Sequence, residues 1–280
     1  MKMDKEVFPM AKQIPIIVIN LKKDIDKKNK IIRQLDKLNL EFSFFNAIYG
    51  AELSPEELNE AYNPQNLIEK GLRLIKKNEI GCALSHLGVY KKMLDDNIDK
   101  MIILEDDTIL DEDFVEALDI IEHLPNNWEL FLLGYSSKRS VPCNFNVKLK
   151  SNPTVFNVGV SPIPRGCLHA YVINQKGAKR MLSYKNSIYQ PIDRYSGDYR
   201  LMNVYTLYPR VTQQNTDLES SIGYDWMKDT GWKQQKIVKA IRGLNNNRRA
   251  KRQASKSFSW SCLIRKIKFK IRHGFKEYYQ

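Results

Sequence analysis

Short apolar runs alternate with amphipathic segments along the first half of the chain. The runs at residues 14–21, 101–104 and 128–134 contain few polar residues, as expected for strands covered on both faces of a sheet. Residues 25–38 and 79–94, which lie between these runs, place apolar side chains at helical spacing. The alternation through residue 134 predicts an α/β fold with a parallel sheet and helices on both faces.

Two further elements are predicted between the first strand and the long second helix. Residues 41–48 have the composition of a second strand. Ser54, Pro55 and Glu57 form a capping box with proline at the first helical position, which predicts a short helix through Tyr62.

The pattern changes after residue 134. Residues 135–165 carry four prolines and little periodicity, so we expect a long loop there, with room for a short hairpin. Residues 168–174 then predict a strand, residues 175–184 a helix and residues 203–211 a further strand.

Composition predicts a globular protein. A length of 280 residues with 42% hydrophobic content is enough for one large domain with a core. No apolar stretch approaches the roughly 20 residues of a membrane span, and the first ten residues lack the apolar segment of a signal peptide, so we expect a cytoplasmic location. Four scattered cysteines without a CxxC pair argue against a zinc site and against a disulfide framework.

The net charge of +13 is concentrated at the C-terminal end. Residues 228–280 contain 16 Lys and Arg against two acidic residues, whereas the rest of the chain is nearly neutral. We therefore divide the chain into a catalytic domain over residues 1–225 and a basic, mainly helical extension over residues 226–280.

Six acidic side chains lie within residues 104–113, directly after the buried run that ends at Leu104. Carboxylates at the carboxyl end of a buried strand repel one another unless a cation lies among them, and oxygen ligands suit Mg²⁺ or Mn²⁺. Residues i and i+2 of an extended chain share a face, so Glu105 and Asp107 are predicted to address one ligand. Asp111 and Asp113 fit the N-terminal cap of the next helix, and a solvated turn is the alternative for the triplet.

Several motifs together resemble glycosyltransferase family 25, of the bacterial lipooligosaccharide galactosyltransferase type. They are, in chain order, INL, GCALSH, LEDD, HAYVIN and KGAKRML, and the resemblance spans residues 14–222. It implies a GT-A fold with a Rossmann-like nucleotide-sugar-binding domain, a UDP-sugar donor such as UDP-galactose, a divalent Mn²⁺ or Mg²⁺ ion, and inversion at the anomeric carbon.

In this resemblance the acidic triplet takes the DxD role, although its first position here is Glu105. Asp107 is then expected to bind the metal that holds the diphosphate, and Glu105 or Asp106 to contact the ribose or the metal. His169, which starts a later strand, is a further candidate for a metal or phosphate contact, with core packing as the alternative.

Inversion by direct displacement requires a general base for the acceptor hydroxyl. Asp193 is the first candidate because a PxD element recurs at this place in the family, and Asp198 is the second. A turn or an ion pair with Arg194 is the alternative for Asp193.

We expect the remaining contacts with the nucleotide-sugar donor from polar residues at the ends of strands and helices. Others are expected in the loop over residues 211–223, which includes Ser220. A packing role is the alternative for His86, which lies one turn inside a predicted helix together with Ser85. The full set of predicted donor-binding residues is Asn20, Leu21, Glu79, Ser85, His86, Glu105, Asp106, Gln214 and Ser221.

The basic extension ends in an amphipathic pattern. From Trp260, apolar residues recur at helical spacing with Lys and Arg between them, which predicts a helix on an anionic membrane surface. We therefore expect peripheral attachment to the cytoplasmic face of the inner membrane, where a lipid-linked oligosaccharide acceptor would lie. Packing of this helix on the catalytic domain is the alternative.

Two other functions fit parts of the sequence. A basic tail also occurs in nucleic-acid-binding proteins, but the body is neutral and carries no recognised nucleic-acid motif, so we expect no nucleic-acid partner. Acidic residues at strand ends also serve metal-dependent phosphoryl or nucleotidyl transferases. The identity of the reaction product decides between sugar transfer and phosphate transfer.

Overall fold

A computed structural model describes residues 14–69, 73–135, 145–148, 154–160, 166–183, 188–198 and 201–215. The C-terminal extension, Ser220 and Ser221 lie outside these ranges, so the predictions made for them stay predictions. None of the helices in the described ranges has the length and hydrophobicity of a transmembrane span.

The described residues form seven α-helices and ten β-strands. The helices are α1 (Ile25–Lys37), α2 (Pro55–Ala61), α3 (Pro64–Glu69), α4 (Lys77–Asp95), α5 (Phe114–Ala117), α6 (Gln175–Leu182) and α7 (Ile192–Ser196). The strands are β1 (Ile16–Asn20), β2 (Ser43–Asn46), β3 (Lys100–Glu105), β4 (Thr108–Leu110), β5 (Leu130–Leu132), β6 (Phe145–Lys148), β7 (Val155–Gly159), β8 (Ala170–Asn174), β9 (Val204–Tyr208) and β10 (Thr212–Gln214). Short 3-10 helices cover Gly50–Glu52 and Leu118–His123.

The described strands form an eight-stranded sheet in the order β2-β1-β3-β8-β5-β9-β7-β6 and a two-stranded sheet of β4 and β10. Strands β2, β1 and β3 are parallel neighbours, as the βα alternation predicts. Strand β8 lies antiparallel between β3 and β5, and β7 is antiparallel to both β6 and β9. The α/β fold class is confirmed, but the sheet is mixed and not wholly parallel. The sequence did not predict the antiparallel strands because a buried central strand has the same apolar pattern in either direction.

Helices cover both faces of the large sheet, as predicted. Ile17 and Ile19 of β1 pack into the cluster that contains α4 and α6, whereas Ile16 and Val18 pack with α1 and α5 on the other face. Because side chains alternate across a strand, the same apolar run supplies both cores. The carboxyl end of β1 is thereby fixed between two packed layers.

The predicted capping box is present at the start of α2. The Ser54 hydroxyl accepts a hydrogen bond from the Glu57 backbone nitrogen (3.2 Å), and the Glu57 carboxylate accepts one from the Ser54 nitrogen (2.9 Å). Asp113 lies at the N-cap position of α5, but its side chain makes no capping hydrogen bond. The long segment after residue 134 contains β6 and β7, which pair as an antiparallel hairpin.

Candidate active site

An open cleft lies at the carboxyl ends of β1 and β3. Its walls come from the end of β1, the loop after β2, one side of α4 and the turn after β3. Ligands bind at this edge in open α/β sheets. Seven of the predicted site residues line the cleft: Leu21, Ser85, His86, Glu105, Asp106, Asp107 and Gln214.

The acidic triplet forms one edge of the cleft. Glu105 is the last residue of β3, and Asp106 and Asp107 form the turn that leads into β4. Strand β4 is held by Gln34 of α1, whose side chain bonds the backbone at both ends of the strand (3.0 and 2.9 Å), and by its pairing with β10. The local fold therefore fixes where the three carboxylates lie.

Asp106 and Asp107 each accept a hydrogen bond from a predicted donor-binding residue. The amide nitrogen of Asn20 lies 2.7 Å from Asp106 Oδ2, and the amide nitrogen of Gln214 lies 2.9 Å from Asp107 Oδ2. The second oxygen of Asp107, Oδ1, is buried and has no hydrogen-bond partner among the described residues. An unpartnered buried carboxylate oxygen is costly unless a further group, such as a cation, completes it.

The electrostatics of the triplet favour a bound cation. Burial, and then the negative charge of Glu105, raises the pKa of Asp107 to about 7. Burial also raises the pKa of Asp106 to about 6, despite the hydrogen bond from Asn20. A cation placed among these carboxylates would relieve both effects.

The residues therefore fit the hard divalent ion that the family resemblance implies. Mg²⁺ and Mn²⁺ prefer oxygen ligands, and a site that also holds phosphates needs only one or two carboxylates from the protein. Glu105 and Asp107 supply such carboxylates at the edge of the cleft. Each metal-binding role stays a prediction.

A buried hydrogen-bonded chain supports Glu105 from behind. His86 Nε2 lies 3.2 Å from Glu105 Oε1, His86 Nδ1 lies 2.8 Å from the Tyr171 hydroxyl, and that hydroxyl lies 2.7 Å from the hydroxyl of Tyr90. Burial raises the pKa of Glu105, but the hydrogen bond from His86 and the nearby basic groups more than offset it, so the net shift is downward. Glu105 is thus held as an ionised acceptor.

Ser85 and the glycine of the GCALSH motif position the loop that forms the opposite wall. The Ser85 hydroxyl accepts a hydrogen bond from the Ile48 backbone nitrogen (2.8 Å) and donates to the Gly81 backbone oxygen (2.7 Å). A Cβ on Gly81 would lie 2.5 Å from the backbone nitrogen of Gly50. The loop after β2 can therefore approach α4 only because residue 81 has no side chain.

Glu79 is engaged at the start of α4. Its carboxylate pairs with the Arg73 guanidinium (2.5 and 2.8 Å) and accepts a hydrogen bond from the backbone nitrogen of Lys76, the N-cap residue (2.9 Å). Glu79 is buried and is not part of the cleft lining. Its predicted contact with the donor stays a prediction.

Asp193 lies in α7, outside the cleft lining, but it is linked to the triplet. Asp193 Oδ2 accepts a hydrogen bond from the Cys167 backbone nitrogen (3.2 Å), and the Cys167 thiol lies 3.3 Å from the side-chain oxygen of Gln214, which contacts Asp107. Burial is the main cause that raises the pKa of Asp193, and the charge of Glu105 contributes. A raised carboxyl pKa suits a group that accepts a proton near neutral pH.

Asp198 and His169 are both buried and also lie outside the cleft lining. Neither ring nitrogen of His169 makes a well-formed hydrogen bond among the described residues, although the ring interacts with the Thr212 backbone. The His169 backbone oxygen accepts hydrogen bonds from the Glu105 nitrogen and the Thr108 hydroxyl. Burial lowers the pKa of His169, which favours the neutral imidazole. A metal role for His169 and a catalytic role for Asp198 stay predictions.

Sequence reasoning did not single out several cleft residues. Lys27, in the first turns of α1, lies in the cleft and pairs with Asp24 at 3.4 Å. Cys82 also lines the cleft; burial raises the pKa of its thiol, and the charges of Glu105 and Asp193 add to the shift. Lys27 could have been predicted as a cleft residue because it follows the first strand closely. Nothing in the sequence around Cys82 indicates that it lines the cleft.

Residues 13–196 match the sequence model of glycosyltransferase family 25, which is described as LPS biosynthesis protein. Human procollagen galactosyltransferase 2 is 27% identical over 174 residues, which cover 60% of this chain and 27% of the relative. A glycosyltransferase 25 family member of Aedes aegypti is 28% identical over 188 residues, covering 64% and 30%.

A protein of Haemophilus influenzae that carries a glycosyltransferase name is 28% identical over 178 residues, which cover 63% of this chain and 58% of the relative. The aligned region therefore spans less than a third of the two animal relatives and somewhat more than half of this bacterial one.

Proposed function

The chain belongs to glycosyltransferase family 25, and from this membership we propose that it transfers galactose from UDP-galactose to a hydroxyl of an acceptor sugar. The human relative named as a galactosyltransferase supports the choice of sugar. The family description supports a lipooligosaccharide core as the acceptor.

The observation that carries the proposal is the cleft lined by Glu105, Asp106 and Asp107 at the ends of parallel strands. Such a cleft suits a nucleotide sugar because carboxylates at this edge can hold a cation and, through it, a diphosphate. Lys27 adds a positive charge to the same cleft and is placed to offset phosphate charge.

Each cleft residue has a distinct role in this proposal. Asp107 and Glu105 hold the divalent ion, which, when bound, stabilises the negative charge that develops on the departing diphosphate. Asn20 orients Asp106 toward the ribose through its 2.7 Å hydrogen bond. Gln214 orients Asp107 in the same way from β10.

Asp193 acts as the general base. Its oxygen accepts the proton of the acceptor hydroxyl as that hydroxyl attacks the anomeric carbon from the side opposite the diphosphate, which inverts the configuration. The hydrogen bond from the Cys167 backbone fixes the orientation of the carboxylate. The raised pKa of Asp193 supports this role, because a stronger base accepts the proton more readily.

A panel of UDP-sugars tests the function of the full chain. UDP release is measured with UDP-galactose, UDP-glucose and UDP-N-acetylglucosamine, in the presence of a lipooligosaccharide acceptor, with Mn²⁺ or with a chelator. We expect release to be highest with UDP-galactose and to be lost with the chelator. Absence of release from every sugar would contradict the transferase activity, and chelator-resistant release would contradict the metal.

Asp107→Asn and Asp111→Asn form a matched pair for the same assay. Both residues belong to the acidic run, but Asp107 lines the cleft and Asp111 does not. The first variant should lose UDP release by at least about 100-fold, as expected when stabilisation of developing charge is removed. The second should retain most of it, so equal losses would show that overall charge matters rather than the cleft.

A further inference from the structure

Three side chains with different ligand atoms meet behind the acidic edge of the cleft. Cys82 and His86 lie one turn apart on α4, and Glu105 ends β3. Their ligand atoms lie within 4.8 Å of one another, and among the described residues this is the group of three or more Cys, His, Asp or Glu side chains that could hold a metal ion. The sequence did not indicate a zinc site because we looked for a CxxC pair. Such a pattern cannot detect a cluster whose residues come from a helix and a separate strand.

The distances approach those of a tetrahedral zinc site. Zinc bonds of about 2.0–2.3 Å to nitrogen, oxygen and sulfur place neighbouring ligand atoms about 3.3–3.6 Å apart. His86 Nε2 and Glu105 Oε1 are already 3.2 Å apart. The Cys82 sulfur lies within 4.8 Å of both, so it is the atom that has to move closer to complete the site.

The surroundings of the cluster also suit a bound metal. His86 Nδ1 contacts the buried hydroxyl of Tyr171 at 2.8 Å, and metal-bound histidines commonly make such a contact through their second ring nitrogen. Cys82 is partly exposed and lines the cleft, so an ion has a path to the cluster and a fourth position remains open to water. A thiolate and a carboxylate neutralise the charge of Zn²⁺.

We propose that Cys82, His86 and Glu105 form a binding site for Zn²⁺ that overlaps the oxygen-ligand site of the donor cation at Glu105. Zinc replaces the hydrogen bond between His86 and Glu105, so the proton of His86 Nε2 moves to Nδ1, which donates to the Tyr171 hydroxyl. Cys82 binds the zinc as a thiolate, and the thiol proton is released to solvent. Because both sites use Glu105, zinc also withdraws a ligand from the donor site and inhibits sugar transfer, a consequence that rests on the proposed function.

Cobalt is the probe for the site, because Co²⁺ occupies zinc sites and gives an intense near-ultraviolet charge-transfer band only when a thiolate is bound. The full chain is titrated with Co²⁺ and then with Zn²⁺, without nucleotide sugar. We expect the band to appear with Co²⁺ and to disappear as Zn²⁺ displaces it. A titration without the band would overturn the proposal.

Two cysteine variants make the assignment specific. Cys82→Ser should abolish the band and weaken Zn²⁺ binding by at least about tenfold, since even the loss of a group behind a ligand costs about 10–100-fold. Cys167→Ser removes a thiol outside the proposed zinc site and should keep the band. A band that persists in Cys82→Ser overturns the site.

A second ligand variant covers the case in which Cys82→Ser fails to fold, as judged by circular dichroism. His86→Gln keeps the thiol, and we expect its affinity for Zn²⁺ to fall by at least about tenfold in competition with a chromophoric chelator. Unchanged affinity in a folded His86→Gln protein overturns the assignment.

Inhibition is measured separately from binding. With Mn²⁺ and UDP-galactose held constant, Zn²⁺ should inhibit UDP release by the wild type, and Cys82→Ser should require at least about ten times more Zn²⁺ for half inhibition. Zinc that binds with the thiolate band but leaves release unchanged overturns the inhibitory role. If no sugar transfer is detected, the cobalt band still tests the site, so failure of the two proposals is distinguishable.

Discussion

Asp107 accepts a hydrogen bond from Gln214 at one carboxylate oxygen, and its other oxygen has no hydrogen-bond partner in the part of the chain that the structure describes. Its ionised form is therefore unfavourable in the metal-free protein, as the pKa of about 7 indicates. A residue that destabilises the protein by itself but completes a ligand site is a common compromise between stability and function.

Replacing Asp107 should therefore stabilise the metal-free protein. An aspartate in the unfolded chain has a pKa of about 3.9, so the folded state holds the proton more tightly, and stability falls as the pH rises from about 4 to 7. Asp107→Asn removes this loss and keeps an oxygen for Gln214. We expect the melting temperature to rise by at least about 2–4 °C at pH 8, corresponding to about 1 kcal/mol, with little gain near pH 4.

The measurement is thermal unfolding in chelator at both pH values. Glu112→Gln is the control at each pH, because Glu112 belongs to the same acidic run but is exposed and lies outside the cleft lining. If the melting temperature of Asp107→Asn falls, or changes equally at pH 8 and pH 4, the charge of Asp107 does not destabilise the metal-free protein as we expect.

A variant of Asp193 tests whether this residue is the general base. Asp193→Asn keeps an oxygen that can accept from the Cys167 backbone but cannot take a proton. The turnover number should fall by about 10² to 10⁴, the usual contribution of a general base, while the KM for UDP-galactose stays nearly constant. Steady-state kinetics of Asp193→Asn and Asp198→Asn decide which carboxylate is the base, and unchanged turnover in Asp193→Asn removes it from that role.

At the residue scale, the sequence predicted the acidic triplet because its signal is local. Three acids directly after a buried strand indicate a strand-end site without knowledge of the fold. The relations of Cys82 to Glu105 and of Asp193 to Cys167 are not local, since each joins residues from different elements. Such contacts depend on how α4 and α7 pack, which hydrophobic periodicity does not specify.

Among the elements, α4 contributes most to the site. One side of it presents Cys82, Ser85 and His86 to the cleft, and its first turns receive the loop after β2. The GCALSH motif thus combines a close backbone approach at Gly81 with the polar residues that follow it.

Gly81→Ala tests this arrangement. In an ordinary helix interior, alanine would be more stable than glycine by roughly 0.5–1 kcal/mol. Here the added Cβ would lie 2.5 Å from the Gly50 nitrogen and 2.6 Å from the Ile48 oxygen, both backbone atoms. We expect a net destabilisation of about 1–3 kcal/mol and weaker UDP binding, because the loop must move.

Urea unfolding and calorimetric titration with UDP measure the two effects. Lys91→Ala, at an exposed position of the same helix, should change stability by no more than about 0.5 kcal/mol and leave UDP binding intact. A stabilised Gly81→Ala protein with normal UDP binding would show that the loop does not depend on this contact.

The sequence specified the elements better than the directions of the strands. The βα alternation correctly placed β1, β2 and β3 as parallel strands. Strand β8 follows β6 and β7 along the chain, and its apolar run is the same in either orientation. Its antiparallel place beside β3 was not predictable because the sequence between β5 and β8 carries little periodic signal.

For the whole molecule, the division of charge suggests two tasks. The nearly neutral body contains the cleft, and the basic extension is suited to an anionic surface. We propose that the extension brings the enzyme to a lipid-linked acceptor at the membrane.

Vesicle binding tests the extension. In the full chain, replacing Lys266, Lys268 and Lys270 by Gln removes three charges, each worth about 1 kcal/mol near an anionic leaflet. Binding to vesicles rich in phosphatidylserine should weaken by one to two orders of magnitude, and UDP release with a soluble acceptor should persist. Equal binding by the wild type and the triple variant, or equal binding to neutral vesicles, would contradict the membrane role.

The central claim is that Asp107 and Glu105 hold a cation that anchors a nucleotide diphosphate. The most direct measurement is a crystal structure of the full chain with UDP and Mn²⁺, with the anomalous signal of manganese locating the ion. The account predicts an anomalous peak in contact with Asp107 and with both phosphates of UDP inside the cleft. Nucleotide bound elsewhere, or manganese away from these carboxylates, would contradict it.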